Sequence, residues 1–468
     1  MVGRSFDLNI DRVLEHWPVA HAVRELIANA LDEHHLSGTK DPVIQKRGEG
    51  RWEIRDFGRG LRYEHLTQNE NPEKLTDGRV IGQFGIGLKD ALAVFDRHGI
   101  GVTLCSRHGT IRTTRQAKAG FPDVVTLHGV VGDPSDAGFD GTAAELDGVT
   151  DDDVELAKSF FRRYSSDRVL EETRYGVVLE RAPDAPAARI YVKGLLVAEE
   201  PSFLFSYDIL DVNASLRRAL NRERSNVGRG AYSDRVKDIL RESTSAAVAQ
   251  PLTDDLARFT TGGQHDEIRW KDVAVHACRV LQSRSKVVFV TARELGSAAV
   301  AYARDDGLRA VVVPDDIVRA LRTVTDLDGK PMFDLAAFNA EWNESFTFTF
   351  VPRSKMTKDE RDIFDLTTDV LELADVDLDD AGVAAIKISE TMRLDEGGSQ
   401  VVGLCDHENG LIVIRRDQLA DAATYFGTLL HEVEHAITGA HDCTFAFEDG
   451  LTTRLGVLAA NALCQDEA

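Results

Sequence analysis

The chain has 468 residues, more than one small scaffold needs and close to three domains at roughly 150 residues each. Its 55 Lys and Arg stand against 78 Asp and Glu, and the formal net charge of -23 disfavours non-specific contact with nucleic acid or with an anionic membrane surface. The five cysteines form no Cys-x-x-Cys pair, no apolar signal core opens the chain, and no run nears ~18 uncharged apolar residues; a cytoplasmic protein in a reducing compartment, without membrane contact, is expected.

Up to about residue 150, helix-like and strand-like segments alternate, with glycine concentrated between Gly48 and Gly87. In Val23–His35, Glu25, Asn29 and Asp32 fall at i, i+4 and i+7 and share one helix face, while Leu26, Ile27, Ala30 and Leu31 can cover a core. Asp56-Phe-Gly58-Arg-Gly60 ends a short strand in a glycine-rich turn. Gly82-Gln-Phe-Gly85-Ile-Gly87-Leu-Lys89 precedes another helix-like run, and glycines at this spacing let backbone N–H groups approach phosphate. Gly141-Thr142 opens a later strand-like run.

In combination these patterns resemble the GHKL ATPase superfamily, which includes gyrase B subunits, MutL, MORC proteins and the large heat-shock chaperone. The resemblance covers roughly residues 15–150 and implies a Bergerat-fold α/β sandwich that binds ATP and Mg²⁺. It implies Glu25 as the general base toward water, Asn29 as the Mg²⁺ ligand and Asp32 as support on the same face. Asp56 would read the adenine amine beside Gly58 and Gly60. Gly82, Gly85 and Gly87 would form a lid over the phosphates, with Lys89 after it. Thr142 would lie behind the adenine. Histidine kinases share such a pocket but need a phosphoacceptor histidine on a helical hairpin, and none precedes the pocket here.

From Asp151, strand-like runs at Tyr175–Leu179 and Arg189–Val197 lead to a charged helical stretch, Tyr232–Arg241. The resemblance makes residues 151–260 a transducer-like α/β middle domain, with Arg222 or Arg224 reaching the γ-phosphate. Thr260–Glu267 reads as a linker. Lys286–Thr291 and Leu308–Val313, separated by a helix-like segment, suggest a small Rossmann-like unit within a connecting domain, residues 261–344. Phe346–Val351 alternates Phe and Thr as a half-buried strand would, and Thr357 with Glu360 forms a capping box before a helix expected to reach Leu373.

His431-Glu432-Val-Glu-His435 lies in a helix with an apolar stripe through Phe426, Leu430, Val433 and Ile437, expected to be capped by Asp417 and closed by Gly439. Histidines at i and i+4 project from one face as two zinc ligands, with Glu432 beside them as a base toward water. Residues 345–468 thereby resemble zincin metallopeptidases, implying an α+β domain, a zinc ion and a protein or peptide substrate. The resemblance puts an edge strand, here Gly410–Arg415, along the peptide. Glu448 is preferred as third ligand, with His441 and then Asp442 as alternatives, and Cys443 is read as a small buried thiol.

The resulting expectation is an α+β multidomain enzyme, an ATP-regulated zinc protease. The alternative is a MORC- or chaperone-like scaffold whose zinc is structural. An ATP-dependent homodimer, an activating partner protein and a bacterial stress or defence setting accompany this reading.

Overall fold

The computed structural model describes residues 4–10, 15–67, 80–82, 87–220, 227–262 and 264–464. It is a mixed α/β, multidomain architecture. Met1–Asp255 with Gly262–Val280 form one compact unit, and Leu256–Thr261 with Leu281–Ala468 form the other. The expected boundaries at 150 and 344 fall inside these units.

The first unit is built on a seven-stranded antiparallel sheet. Its strands are β1 (Arg4–Asp7), β2 (Val43–Gly48), β3 (Arg51–Arg55), β4 (Gly101–Ser106), β5 (Gly109–Lys118), β6 (Phe121–Gly132) and β7 (Thr142–Asp147), in the order β1-β6-β5-β4-β7-β3-β2. Helix Val19–Ser37 buries Ala20, Val23, Leu26, Ile27 and Ala30, and ends where Gly38, at φ 62°, returns its N–H to His34 O. With helix Gly87–Arg97 it shares one apolar core containing Ile54, Leu104 and Leu146 of the sheet. Burial on one side therefore fixes which residues of both helices remain for polar work.

A second sheet in the same unit joins β8 (Val169–Glu172), β9 (Gly176–Glu180), β10 (Ala188–Val192), β11 (Leu195–Glu200) and β12 (Phe205–Ile209), ordered β11-β10-β12-β9-β8. The run Arg189–Val197, expected as one strand, is a hairpin: Lys193 and Gly194 both take positive φ and reverse the chain. Helix Ser233–Glu242 buries Val236, Ile239 and Leu240, as its charged amphipathic pattern requires.

The chain passes between the two units within Thr260–Glu267, and Glu267 at the end of that stretch is fully buried. Its Oε1 accepts hydrogen bonds from Leu204 N (2.8 Å), Phe205 N (3.2 Å) and Tyr207 Oη (3.0 Å), whereas its buried Oε2 meets no hydrogen-bond donor at bonding geometry among the described residues. Burial raises this carboxyl above its ordinary range. A carboxyl raised on folding contributes stability that is complete below its unfolded pKa and lost as pH rises through the folded value. Glu267→Gln keeps an accepting oxygen and removes that titration, so the melting-temperature gap between variant and native protein should grow in the variant's favour as pH rises from 4 toward neutrality. Parallel melting curves would show that Glu267 does not titrate on folding.

In the second unit, β13 (Val287–Val290) and β14 (Arg309–Val312) pair in parallel, with helix Ala298–Asp305 between them in sequence. Phe346–Val351 is not a strand. Its aromatic rings neighbour one another at 5.2 and 5.5 Å, but the backbone pairs only at the isolated bridge Phe350–Ser389. The Thr357–Glu360 capping box is present, yet the helix it opens breaks at Leu366 into Lys358–Asp365 and Thr367–Leu373.

A three-stranded sheet follows, β15 (Ala385–Ser389), β16 (Gly403–Asp406) and β17 (Leu411–Arg415), ordered β15-β17-β16. The Gly410–Arg415 run therefore supplies the central strand, paired on both sides, and β15 and β16 are the outer strands. Helix Ala422–Thr438 starts at Asp421, whose side chain accepts from Thr424 N, while Asp417 is engaged by Arg415 at 2.7 Å. Gly439, at φ 59°, closes it as expected. Among the described residues, no helix is long and apolar enough to cross a membrane.

Candidate functional site

In the first unit, the polar face of helix Val19–Ser37 meets the beginning and the end of the glycine segment. Glu25 is buried, and its Oε1 is 2.8 Å from an Nη of Arg24, which is itself buried over the rings of Trp17 (5.0 Å) and Phe160 (5.7 Å). The other oxygen, Oε2, occupies the space that a Cβ on Gly87 would need, so the carboxylate sits against the first residue of helix Gly87–Arg97. Asn29 Nδ2 donates to Glu25 O at 2.9 Å. Asp32 accepts from Ile81 N at 2.6 Å and Gly82 N at 2.8 Å, tying the start of the glycine segment to the helix. Lys89 lies buried in the first turn of the Gly87 helix. Gly85, Arg222 and Arg224 lie outside the described residues.

Asp56 follows β3 directly and is buried. Its backbone N–H donates to Thr142 O, and its Oδ1 accepts from Gly58 N at 2.9 Å and Thr142 N at 3.2 Å. Burial raises the carboxyl above its usual range. Thr142 Oγ1 accepts from Leu61 N, closing the turn on its far side. A Cβ on Gly141 would strike the backbone of Asp56, and this glycine also needs φ 80°, so the Gly-Thr pair is there for close approach. Gly58 makes room for Glu33, which the sequence reading did not single out. Although burial pushes Glu33 up, hydrogen bonds from Arg59 and Ser37 outweigh this and bring it down to about 2. A fixed anion therefore stands beside Asp56, one helical turn beyond Asn29.

In the second unit, three potential ligand atoms converge. His431 Nε2 and His435 Nε2 are 3.2 Å apart, and Asp442 Oδ1 lies 3.1 Å from the first and 3.2 Å from the second. A tetrahedral ion with ligands at about 2.0–2.1 Å holds them about 3.3 Å from one another, so this triangle fits one face of a zinc site. His435 Nδ1 lies 2.8 Å from Ala440 O, a bond that directs Nε2 toward the cluster. Phe447 stacks on His435 at 4.3 Å and meets His431 edge-on at 4.8 Å. Burial lowers the His431 pKa, which favours the neutral, ligating ring.

Glu448 does not enter this triangle. It sits in the first turn of the next helix, Phe445–Cys464, and acts on His431 through its charge. His441 is exposed, and Cys443 is exposed at φ 59° instead of buried, because both lie in the short link between two helices. Glu432 is buried beside the edge strand β16: a Cβ on Gly403 would collide with its carboxylate, and Cys405 N–H bonds to it. Burial pushes Glu432 up to about 7.

A family model described as the Mycoplasma pneumoniae MPN635 N-terminal domain matches residues 152–246, the stretch that carries the second sheet. An uncharacterized protein of Mycoplasma pneumoniae is 36% identical over 244 residues, which cover 51% of this chain and 98% of that protein. The chain belongs to that protein's family. A second uncharacterized protein of the same organism is 24% identical over 331 residues, 67% of this chain and 93% of its own length. Neither relative of this Mycoplasma family has a description that names an activity.

Proposed function

We propose that the chain is an ATP-regulated zinc-dependent protease. The observation that carries this reading is the His431, His435 and Asp442 triangle with buried Glu432 beside it at the outer strand β16. His431, His435 and Asp442 would hold the zinc, which would supply Lewis-acid polarisation of a peptide carbonyl. Glu432 takes a proton from the attacking water and returns it to the leaving amine. β16, an outer strand of its sheet, offers a line along which an extended peptide pairs, which aligns its scissile bond with Glu432. Phe447 packs against both imidazoles and keeps water from that side.

The first unit supports the ATP half of the proposal. Asp56 and Thr142 form an adenine-reading corner in the manner of the Bergerat fold, with Asn29 on Mg²⁺ and Glu25 orienting water for hydrolysis. The Glu25 carboxylate at the start of the Gly87 helix supports this assignment, since the lid glycines then end against the base. ATP-driven dimerisation, an activating partner and cytoplasmic action belong to the same proposal. A zinc held by these three side chains alone would be open to substrate, whereas the scaffold alternative needs a fourth protein ligand.

Metal analysis tests the ligand set and the reading together. Native protein is expected to bind one zinc per chain and to cleave an unfolded protein substrate, with ATP changing the rate. Asp442→Ala should weaken zinc binding about 10- to 100-fold or more, while Glu448→Ala should retain zinc. Normal zinc content in Asp442→Ala would remove Asp442 from the ligand set. A zinc with four protein ligands and no proteolysis would turn the reading toward the scaffold.

A further inference from the structure

The run from His431 to His435 holds a second acid, Glu434, which the proposed chemistry leaves unused. Glu434 is 1% exposed. Its Oε1 occupies the place that a Cβ on Gly450 would need, and its Oε2 is 3.5 Å from Arg454 Nη2, a pair held by charge without a close hydrogen bond. Gly450 lies inside helix Phe445–Cys464, where glycine is less stable than alanine, so the close approach of the carboxylate explains it. Arg454 Nη1 donates in turn to Ala374 O at 3.2 Å and Asp375 O at 3.3 Å, just past the end of helix Thr367–Leu373. One buried acid thereby joins three helices of the second unit.

Helix Phe445–Cys464 is held at few places. Among its described residues Phe447 alone is buried, against the two imidazoles, while Leu458 packs half-buried near Val370 and Leu430. Asp442 stands in the link before this helix. On one side the link is fixed at Ala440, whose N–H donates to Thr438 Oγ1 at 3.2 Å and whose O is 2.8 Å from His435 Nδ1. On the other it enters the helix at Thr444, whose O accepts from Glu448 N at 3.0 Å and whose Oγ1 accepts from Phe447 N at 3.4 Å. The seat of the helix therefore sets where Asp442 meets the histidines.

We propose that Glu434 is a positioning residue for the metal site: with Arg454, and in the notch left by Gly450, it seats helix Phe445–Cys464 so that Asp442 completes the triangle with His431 and His435. The inference rests on that ligand set, and on neither peptide cleavage nor ATP. Both histidines share one helix with Glu434 and keep their places when the seat is lost, so the damage falls on Asp442. Gly450→Ala disturbs the seat without touching a ligand, because its methyl meets the Glu434 carboxylate. Glu434→Gln keeps the shape and leaves Arg454 without its charge partner.

Zinc titration of the full chain provides the test, with melting of the metal-free protein as the check on folding. Cobalt(II) is a second probe, since its visible bands report coordination number and donor type. Gly450→Ala and Glu434→Gln should each bind zinc at least about tenfold more weakly than native protein, and their cobalt spectra should move toward that of Asp442→Ala. Combined with Asp442→Ala, Gly450→Ala should weaken zinc no further, because the two changes remove the same ligand. Native zinc affinity and a native cobalt spectrum in Gly450→Ala would overturn the proposal. So would an equal fold-loss from Gly450→Ala with and without Asp442, which marks general loosening of the unit. Absence of metal binding by native protein is a separate result: it would fail the ligand set itself, and the inference with it.

Discussion

Glu25→Ala is expected to bind ATP about as tightly as native protein and to hydrolyse it at least ~10²-fold more slowly, the usual scale for removing a general base. The separation follows from where the two carboxylates sit. Asp56 lies in a turn pinned by Gly58 and Thr142, remote in the chain from the helix face that carries Glu25, so deleting Glu25 leaves the Asp56 turn, where the proposal puts adenine, intact. Buried Arg24 holds the carboxylate at 2.8 Å, and a charge taken out of water needs such a partner. A second variant reaches the same group without touching it: Gly87→Ala places a methyl where Glu25 Oε2 lies, so the carboxylate must move. It should lower turnover in the same direction while Asp56→Asn lowers nucleotide affinity instead. Single-turnover hydrolysis beside equilibrium nucleotide binding resolves the two effects. Native turnover in Glu25→Ala would end the assignment of the base.

The sequence was informative at the two helices where a local period and a fixed spacing carried the signal, and misleading at Phe346–Val351, whose alternation forms no strand. Glu25, Asn29 and Asp32 fall on one helix because the apolar residues between them are buried on the other side, and the His431 helix is ended by the glycine that its pattern marks. It was uninformative where the answer depends on partners distant in sequence. Nothing local distinguishes β16 from β17 as the sheet edge, since that is decided by which strands find hydrogen bonds on both sides. The choice among Glu448, His441 and Asp442 turns on the path of six residues between two helices, and Gly439 with its left-handed φ sends that path back across the histidines. Gly87 and Gly403 could be seen as glycines, but not that each leaves space for a carboxylate. The Arg189–Val197 run misled for a related reason, because its β-forming residues masked a two-residue turn whose lysine offers no turn propensity.

Glu432→Gln is expected to keep its zinc and lose peptide cleavage by at least ~10²-fold, and this dissociation separates a base from a ligand. The side chain meets β16, where Cys405 N–H bonds to it and Gly403 leaves room, and it feels the charges of His435 and Asp442 without being one of the three converging groups. The amide has the same shape and can still accept from Cys405 N–H, but it cannot take a proton from water. His431→Ala should instead lose zinc and cleavage together. Gly403→Ala is the more discriminating companion, because its methyl intrudes on Glu432 while leaving the ligands untouched. It should retain zinc and reduce the rate, with the effect on kcat larger than on zinc affinity. If Glu432→Gln lost zinc as His431→Ala does, Glu432 would be a ligand and the hydrolytic reading would lack its base. Undiminished cleavage in Glu432→Gln would remove the second unit's proposed chemistry altogether, and the bound metal would then serve the short link between its last two helices.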